Sequence, residues 1–72
     1  MIEINEYYEE DLDWHVVVED ENGDVSTEDV LFDKEDAIES ANKFKNEGKK
    51  VWVEAYDPDD RLFENVITEI RV

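Results

Sequence analysis

Three observations predict a small α+β domain: an antiparallel sheet of four to five strands with one helix packed on one face. Residues 32–48 carry a single well-punctuated helix pattern. Short runs rich in β-branched residues lie on both sides of it, and several alternate apolar with polar. Turn signals, Asn22-Gly23 and Asp57-Pro58-Asp59-Asp60, separate runs that hairpins would join. The expected order is β-β-β-α-β-β, in two layers.

The helix is the element that organises the rest. Asp33 is the expected N-cap, and Asp36 three residues later completes a capping-box variant with Asp in place of Glu. Phe32 and Ala37 are spaced for a hydrophobic staple. Glu35 and Asp36 put negative charge at the positive end of the helix dipole, and Lys43 and Lys45 oppose its other end. Gly48 is the expected C′ residue, free to take φ > 0. Ala37, Ile38, Ala41 and Phe44 form one narrow apolar stripe, enough to cover one face of a small sheet. Lys34, Glu39, Ser40, Lys43 and Glu47 are expected to face water.

The strands follow in chain order. Residues 1–8 begin by alternating, with Ile2 and Ile4 on one side, Glu3 and Asn5 on the other, and Tyr7 and Tyr8 at the end. Residues 9–13 are an acidic connector. Residues 14–20 form a strand with Trp14, Val16 and Val18 on one face and His15, Val17 and Glu19 on the other. Asn22-Gly23 predicts a type I′ hairpin turn. The return strand, residues 25–32, alternates poorly and sets Val16 opposite Asp29 in a simple register. A bulge near Glu28 or Asp29 is therefore expected, bringing Val30 and Phe32 to useful faces.

Beyond the helix, residues 49–56 place Val51, Val53 and Ala55 on one face, with Trp52, Glu54 and Tyr56 on the other. Pro58 is preset for the second position of a turn. Residues 61–72 close the sheet, with Leu62, Val66, Ile70 and Val72 in one row and Phe63 and Ile67 in the other. Val16, Val18, Val51 and Val53 suit the space under a helix. The other face would carry Tyr7 or Tyr8, His15, Val17, Trp52, Tyr56, Phe63 and Ile67. An apolar face of that kind is expected to meet a partner or a second copy in a homodimer, unless sheet curl, the first strand and long Glu and Lys stems shelter it.

Composition bounds the function. Seventy-two residues make one domain with a modest core. Hydrophobic residues are 40% of the chain, a share that disordered acidic tails lack. Without Cys there is no disulfide and no thiolate metal site. No apolar run approaches the ~18 residues of a membrane span. No basic region follows Met1, so no signal peptide is expected and the expected compartment is the cytoplasm.

The formal net charge is −16, from 23 acidic and 7 basic residues. Residues 1–33 hold 13 of the acids and neither Lys nor Arg, so the first part of the chain carries −13 and the rest −3. Direct binding to nucleic acid or to an anionic membrane is disfavoured, because like charge repels at every approach. A cationic protein surface is the favoured partner.

Catalytic motifs are lacking. Carboxylates are so abundant that solvated surface acids are the default reading, and a sheet with one helix leaves little room for a cleft that would raise a carboxyl pKa. His15 is the only histidine, and neither Ser26 nor Ser40 stands in a nucleophile motif. Residues 20–24 look superficially like a calcium loop, but the Gly comes too early. No Gly-rich loop is present to cradle a phosphate. No enzyme activity, metal or cofactor is expected.

In size, charge and lack of a catalytic motif the chain resembles small phage-encoded DNA mimics of the anti-restriction and anti-CRISPR type. That resemblance implies an inhibitor whose carboxylates stand in for phosphates in a basic groove, in the cytoplasm of the host cell. A second, local resemblance rests on Trp14-His15-Val16, Lys34-Glu35-Asp36-Ala37-Ile38, Ala41 and Gly48. These residues look like a family of small bacterial domains of unknown function, which implies the fold and no activity.

The residues expected to meet a basic partner are Glu6, Tyr7, Tyr8, Glu9, Glu10, Asp11, Asp13, Glu19, Asp20, Glu21, Asp24, Glu28, Asp29 and Trp52. The alternative reading is an acidic domain of general function, its charge serving solubility or high internal salt, or a homo-oligomeric structural module. High internal salt as the cause predicts unfolding in low salt and recovery in molar salt, read by circular dichroism.

Overall fold

The computed structural model describes residues 11–72. They form β1 (Asp13–Glu19), β2 (Val25–Leu31), α1 (Lys34–Asn46), β3 (Lys50–Tyr56) and β4 (Val66–Arg71). The four strands make one sheet in the order β2-β1-β3-β4, antiparallel throughout, with the helix packed on one face. The α+β expectation is met. The expected strand at residues 1–8 lies outside the described residues.

β1 is central, and from Trp14 to Val18 every residue is buried. Trp14, Val16 and Val18 face the helix and join Leu12, Val51, Val53, Ala55, Ala37 and Ala41 in one core. Ala37 and Ala41 are fully buried, and their small side chains let the helix lie close to the sheet. Leu31, Phe44, Ile70 and Val72 seal the margins.

The helix ends are built as their residues dictate. The Asp33 side chain accepts from the backbone N–H of Glu35 at 2.8 Å and of Asp36 at 3.4 Å. At the other end Gly48 has φ +86°, its N–H donates to the Lys45 carbonyl, and the Lys49 N–H donates to the Phe44 carbonyl. This is a Schellman closure. The Lys49 ammonium lies 5.3 Å from the centre of the Phe44 ring and covers it. The staple is not made, because Phe32 is 74% exposed. Ser40 does not face water either: its hydroxyl donates to Asp29 on β2 at 3.3 Å.

The bulge falls where the sequence places it. Val16 pairs with Asp29 and Val17 with Thr27, which leaves Glu28 as the extra residue. Its effect differs from the expectation. Leu31, paired with Trp14, reaches the core, whereas Val30, paired with His15, lies on the far face and is 45% exposed. The hairpin turn is also corrected. Only Gly23 takes a positive φ, Gly23 N–H donates to the Asp20 carbonyl, and Asp20 N–H donates to the Asp24 carbonyl. That is a three-residue loop, a type I turn closed by a left-handed glycine, and not a type I′ turn. Asp20 decides it: its Oδ1 accepts from the N–H of both Asn22 and Asp24.

The last strand starts later than expected. Residues 61–65 belong to the loop that follows the Asp57–Asp60 turn, and Leu62 is 74% exposed. A second bulge, where Ala55 pairs with Thr68 and Tyr56 with Val66, turns Ile67 into the core and leaves Val66 on the far face.

Two substitutions test this account by urea unfolding. Gly48→Ala meets no atom within 4 Å, so its cost is the left-handed backbone alone, about 1–2 kcal/mol. Trp14→Ala removes the largest fully buried side chain and is expected to cost about 3–5 kcal/mol, enough to leave a domain of this size largely unfolded.

Candidate partner-binding surfaces

The strand register redistributes the charge. Glu19 pairs with Lys50, so the residues that open β3 stand beside the β1–β2 turn. The Lys50 ammonium lies 3.6 Å from the Glu19 carboxylate. Lys43 and Lys45 end the helix at that same end of the sheet, and Arg71 ends β4 opposite Trp52. Five of the seven basic residues therefore gather at the turn end. A wide-open groove there is lined by Glu19, Asp20, Glu21 and Glu28 on one side and Glu47, Lys49 and Lys50 on the other.

The opposite end of the sheet carries the acidic excess. Asp13 pairs with Tyr56, which puts Asp57 and the loop after it at this end. Leu31 pairs with Trp14, which puts Asp33 and the first helical turn there as well. Asp11, Asp13, Asp33, Glu35, Asp36, Asp57, Asp59, Asp60 and Glu64 share this end with two cations, Lys34 and Arg61. Several of these carboxylates hold backbone in place. Asp57 accepts from the Asp59 N–H at 2.9 Å, and Asp60 from the Asn65 N–H at 3.1 Å.

The face away from the helix is centred on Glu54. Its two carboxylate oxygens accept from the Trp52 indole N–H at 3.0 Å and the Tyr56 hydroxyl at 2.8 Å. Glu69 lies directly across from Glu54, a like-charge pair that would be unfavourable alone. Arg71 answers it, bonding Glu69 at 2.6 Å and stacking 4.7 Å from the Trp52 ring. Val17, His15 and Tyr56 are buried on this face, so much of the expected sticky surface is already covered.

No family model, curated protein or solved structure matches the chain. The functional reading stands on charge and geometry.

The residues nominated from the sequence do not form one plane. Asp20, Glu21 and Asp24 cluster at the turn, with Glu19 paired to Lys50. Glu28 bonds Ser26 and Asp29 bonds Ser40, both on the helix side of the edge strand β2. Asp13 stands at the far end of β1 with Asp11 beyond it. Trp52 lies on the opposite face under Arg71. Glu6, Tyr7, Tyr8, Glu9 and Glu10 lie outside the described residues. What sequence reasoning passed over is Glu54 with its two aromatic donors, although Trp52, Glu54 and Tyr56 alternate plainly along β3.

Among the described residues no three His, Cys, Asp or Glu side chains are placed to hold a metal. No described helix is long and apolar enough to cross a membrane. Burial, then the hydrogen bond and charge of Glu54, with Asp60 and Glu69 adding, push the Tyr56 hydroxyl up to about 12. Because the folded value lies above the unfolded one, this contribution to stability is complete below pH 10 and is lost as pH rises toward 12. Glu54→Gln is expected to move the Tyr56 transition back toward 10, read as tyrosinate absorbance with Tyr56→Phe marking the step.

Proposed function

We propose that this chain is a non-enzymatic acidic binding protein, an inhibitor of the anti-defence type that offers carboxylates in place of phosphates to a basic groove of a nucleic-acid-binding enzyme or complex. One observation carries the reading: among the described residues, five of the seven cations lie at the turn end, and the other end holds nine carboxylates and two cations. The surface that meets the groove is then the helix-start end, and the first hairpin contributes less than its sequence suggests. Charge of one sign at that density steers a cationic partner and raises its on-rate. The proposed setting is the cytoplasm, and no nucleic acid or membrane is bound directly.

A second reading, self-association through the sheet face away from the helix, draws on Val25 and Val30, which are 54% and 45% exposed on the edge strand β2. Sedimentation at micromolar concentration separates the two.

Binding to the target is expected to weaken steeply with salt and to be lost when duplex DNA competes. Capture from lysate at low salt, repeated with a DNA competitor, measures both. A target retained in full against DNA, or held equally from low to high salt, would sink the proposal. Paired reversals locate the surface: Asp57→Lys with Asp59→Lys is expected to weaken binding at least about tenfold, and Glu21→Lys with Asp24→Lys much less. The reverse ranking would return the site to the hairpin.

A further inference from the structure

His15 is a buried group that the proposed surface does not use. It is only 9% exposed, and its Nε2 has no hydrogen-bond partner among the described residues. A ring nitrogen orphaned at that depth is uncommon in native proteins. The ring packs on Tyr56, with centroids 4.6 Å apart, and on Phe63 at 5.0 Å, and those two meet edge-on at 5.6 Å.

Phe63 is the one described non-glycine residue with a left-handed backbone, φ 49°. For a residue with a Cβ that conformation costs about 1–2 kcal/mol, and it persists only where the surroundings hold it. Three contacts hold it here. The Phe63 N–H donates to the Asp60 carbonyl at 3.0 Å, the Asn65 N–H donates to the Asp60 carboxylate, and the ring sits on His15. The loop of residues 57–65 is thus tied to the sheet through a strained residue resting on an imidazole whose Nε2 has no hydrogen-bond partner among the described residues.

We propose that His15 is a proton-operated latch on this loop: with the imidazole neutral Phe63 stays seated, and protonation in mild acid unseats Phe63 and opens residues 57–65. The physical cause is that, among the described residues, Nε2 has no acceptor for a second ring proton. Glu54, the nearest carboxylate on β3, has both oxygens committed to Trp52 and Tyr56. Asp13 on the same strand and Glu54 favour the proton, but burial outweighs them and holds His15 below its ordinary value. From β2 the register partner is Val30, which brings no charge. On the Tyr56 side Asp60 and Glu69 act on the same cluster.

The direction follows from these groups. Above the ordinary histidine value both forms are neutral and the latch is at full strength. As pH falls through that value the open form takes the proton first, and the closed form loses ground until its own lower value is passed. The loop carries Asp57, Asp59, Asp60 and Glu64, so opening would rearrange the acidic end whatever that end binds.

The test follows the amides of Asp60, Phe63 and Asn65 in the full chain by NMR hydrogen exchange, at about pH 7.5 and about pH 5, corrected for intrinsic rates. Their protection is expected to fall in acid, by up to about tenfold for each unit by which closed and open His15 differ, and to stay at both pH values below that of the Val16 and Val18 amides, which open only with the whole sheet. His15→Phe is expected to abolish the fall. Should that variant not fold, the ¹³C titration of His15 in the wild type replaces it, and its midpoint must coincide with the shift of the Phe63 ring resonances. Protection that is equal at both pH values, a fall that persists in His15→Phe, or midpoints that disagree would each overturn the latch.

Discussion

Everything else depends on the burial of β1 from both sides. Trp14, Val16 and Val18 meet Ala37 and Ala41 of the helix, while His15 and Val17 are buried on the other face. A chain with a net charge of −16 repels itself in any compact form. The opposing force has to come from one small apolar cluster, because there is no disulfide to help. That explains why most charged residues keep to the ends, the outer strands and the outer helix face, and why Glu54, the exception on β3, is held by the Trp52 and Tyr56 donors. It also explains why the one titratable ring within β1 is held toward its uncharged form: a charge there would sit against the apolar cluster that resists the repulsion.

The two ends of the sheet act nearly independently. β1 has seven residues, so its ends lie about 20 Å apart. In physiological salt the screening length is about 8 Å, well short of that span. A cationic surface approaching the helix-start end meets the carboxylates there and little of the lysines at the turn. The lysines in turn neutralise the hairpin locally, where Lys50 faces Glu19 and Lys49 faces Glu47. Among the described residues β2 is an edge strand, and the Glu28 bulge interrupts its ladder while Asp29 bonds Ser40 of the helix.

Much of the fold was readable because its signals are local. Asp33 and Gly48 mark the helix ends by what their own side chains and backbones can do. Pro58 marks its turn, and the poor alternation of residues 25–32 signals the bulge at Glu28, although Val16 still pairs with Asp29. The misses share a cause. Asn22-Gly23 favours one turn in isolation, but the Asp20 side chain bonds two amides and selects another. Ile67 reads as outward by simple alternation, and a bulge on the facing pair turns it inward. Phe63 reads as strand, and its contact with His15, forty-eight residues earlier in the chain, makes it a loop residue instead.

The sequence by itself determined the element types, the helix caps, the sign of the charge and the want of catalytic motifs, since each depends on neighbours a few residues away. The tertiary structure alone decided where the charge is felt. Residues 1–33 contain neither Lys nor Arg, yet antiparallel pairing of β1 with β3 carries Lys49 and Lys50 to the hairpin and leaves the larger acidic excess among the described residues at the other end. The physical reason is that an electrostatic surface depends on distance through space, and strand register sets that distance between residues some thirty positions apart in the chain.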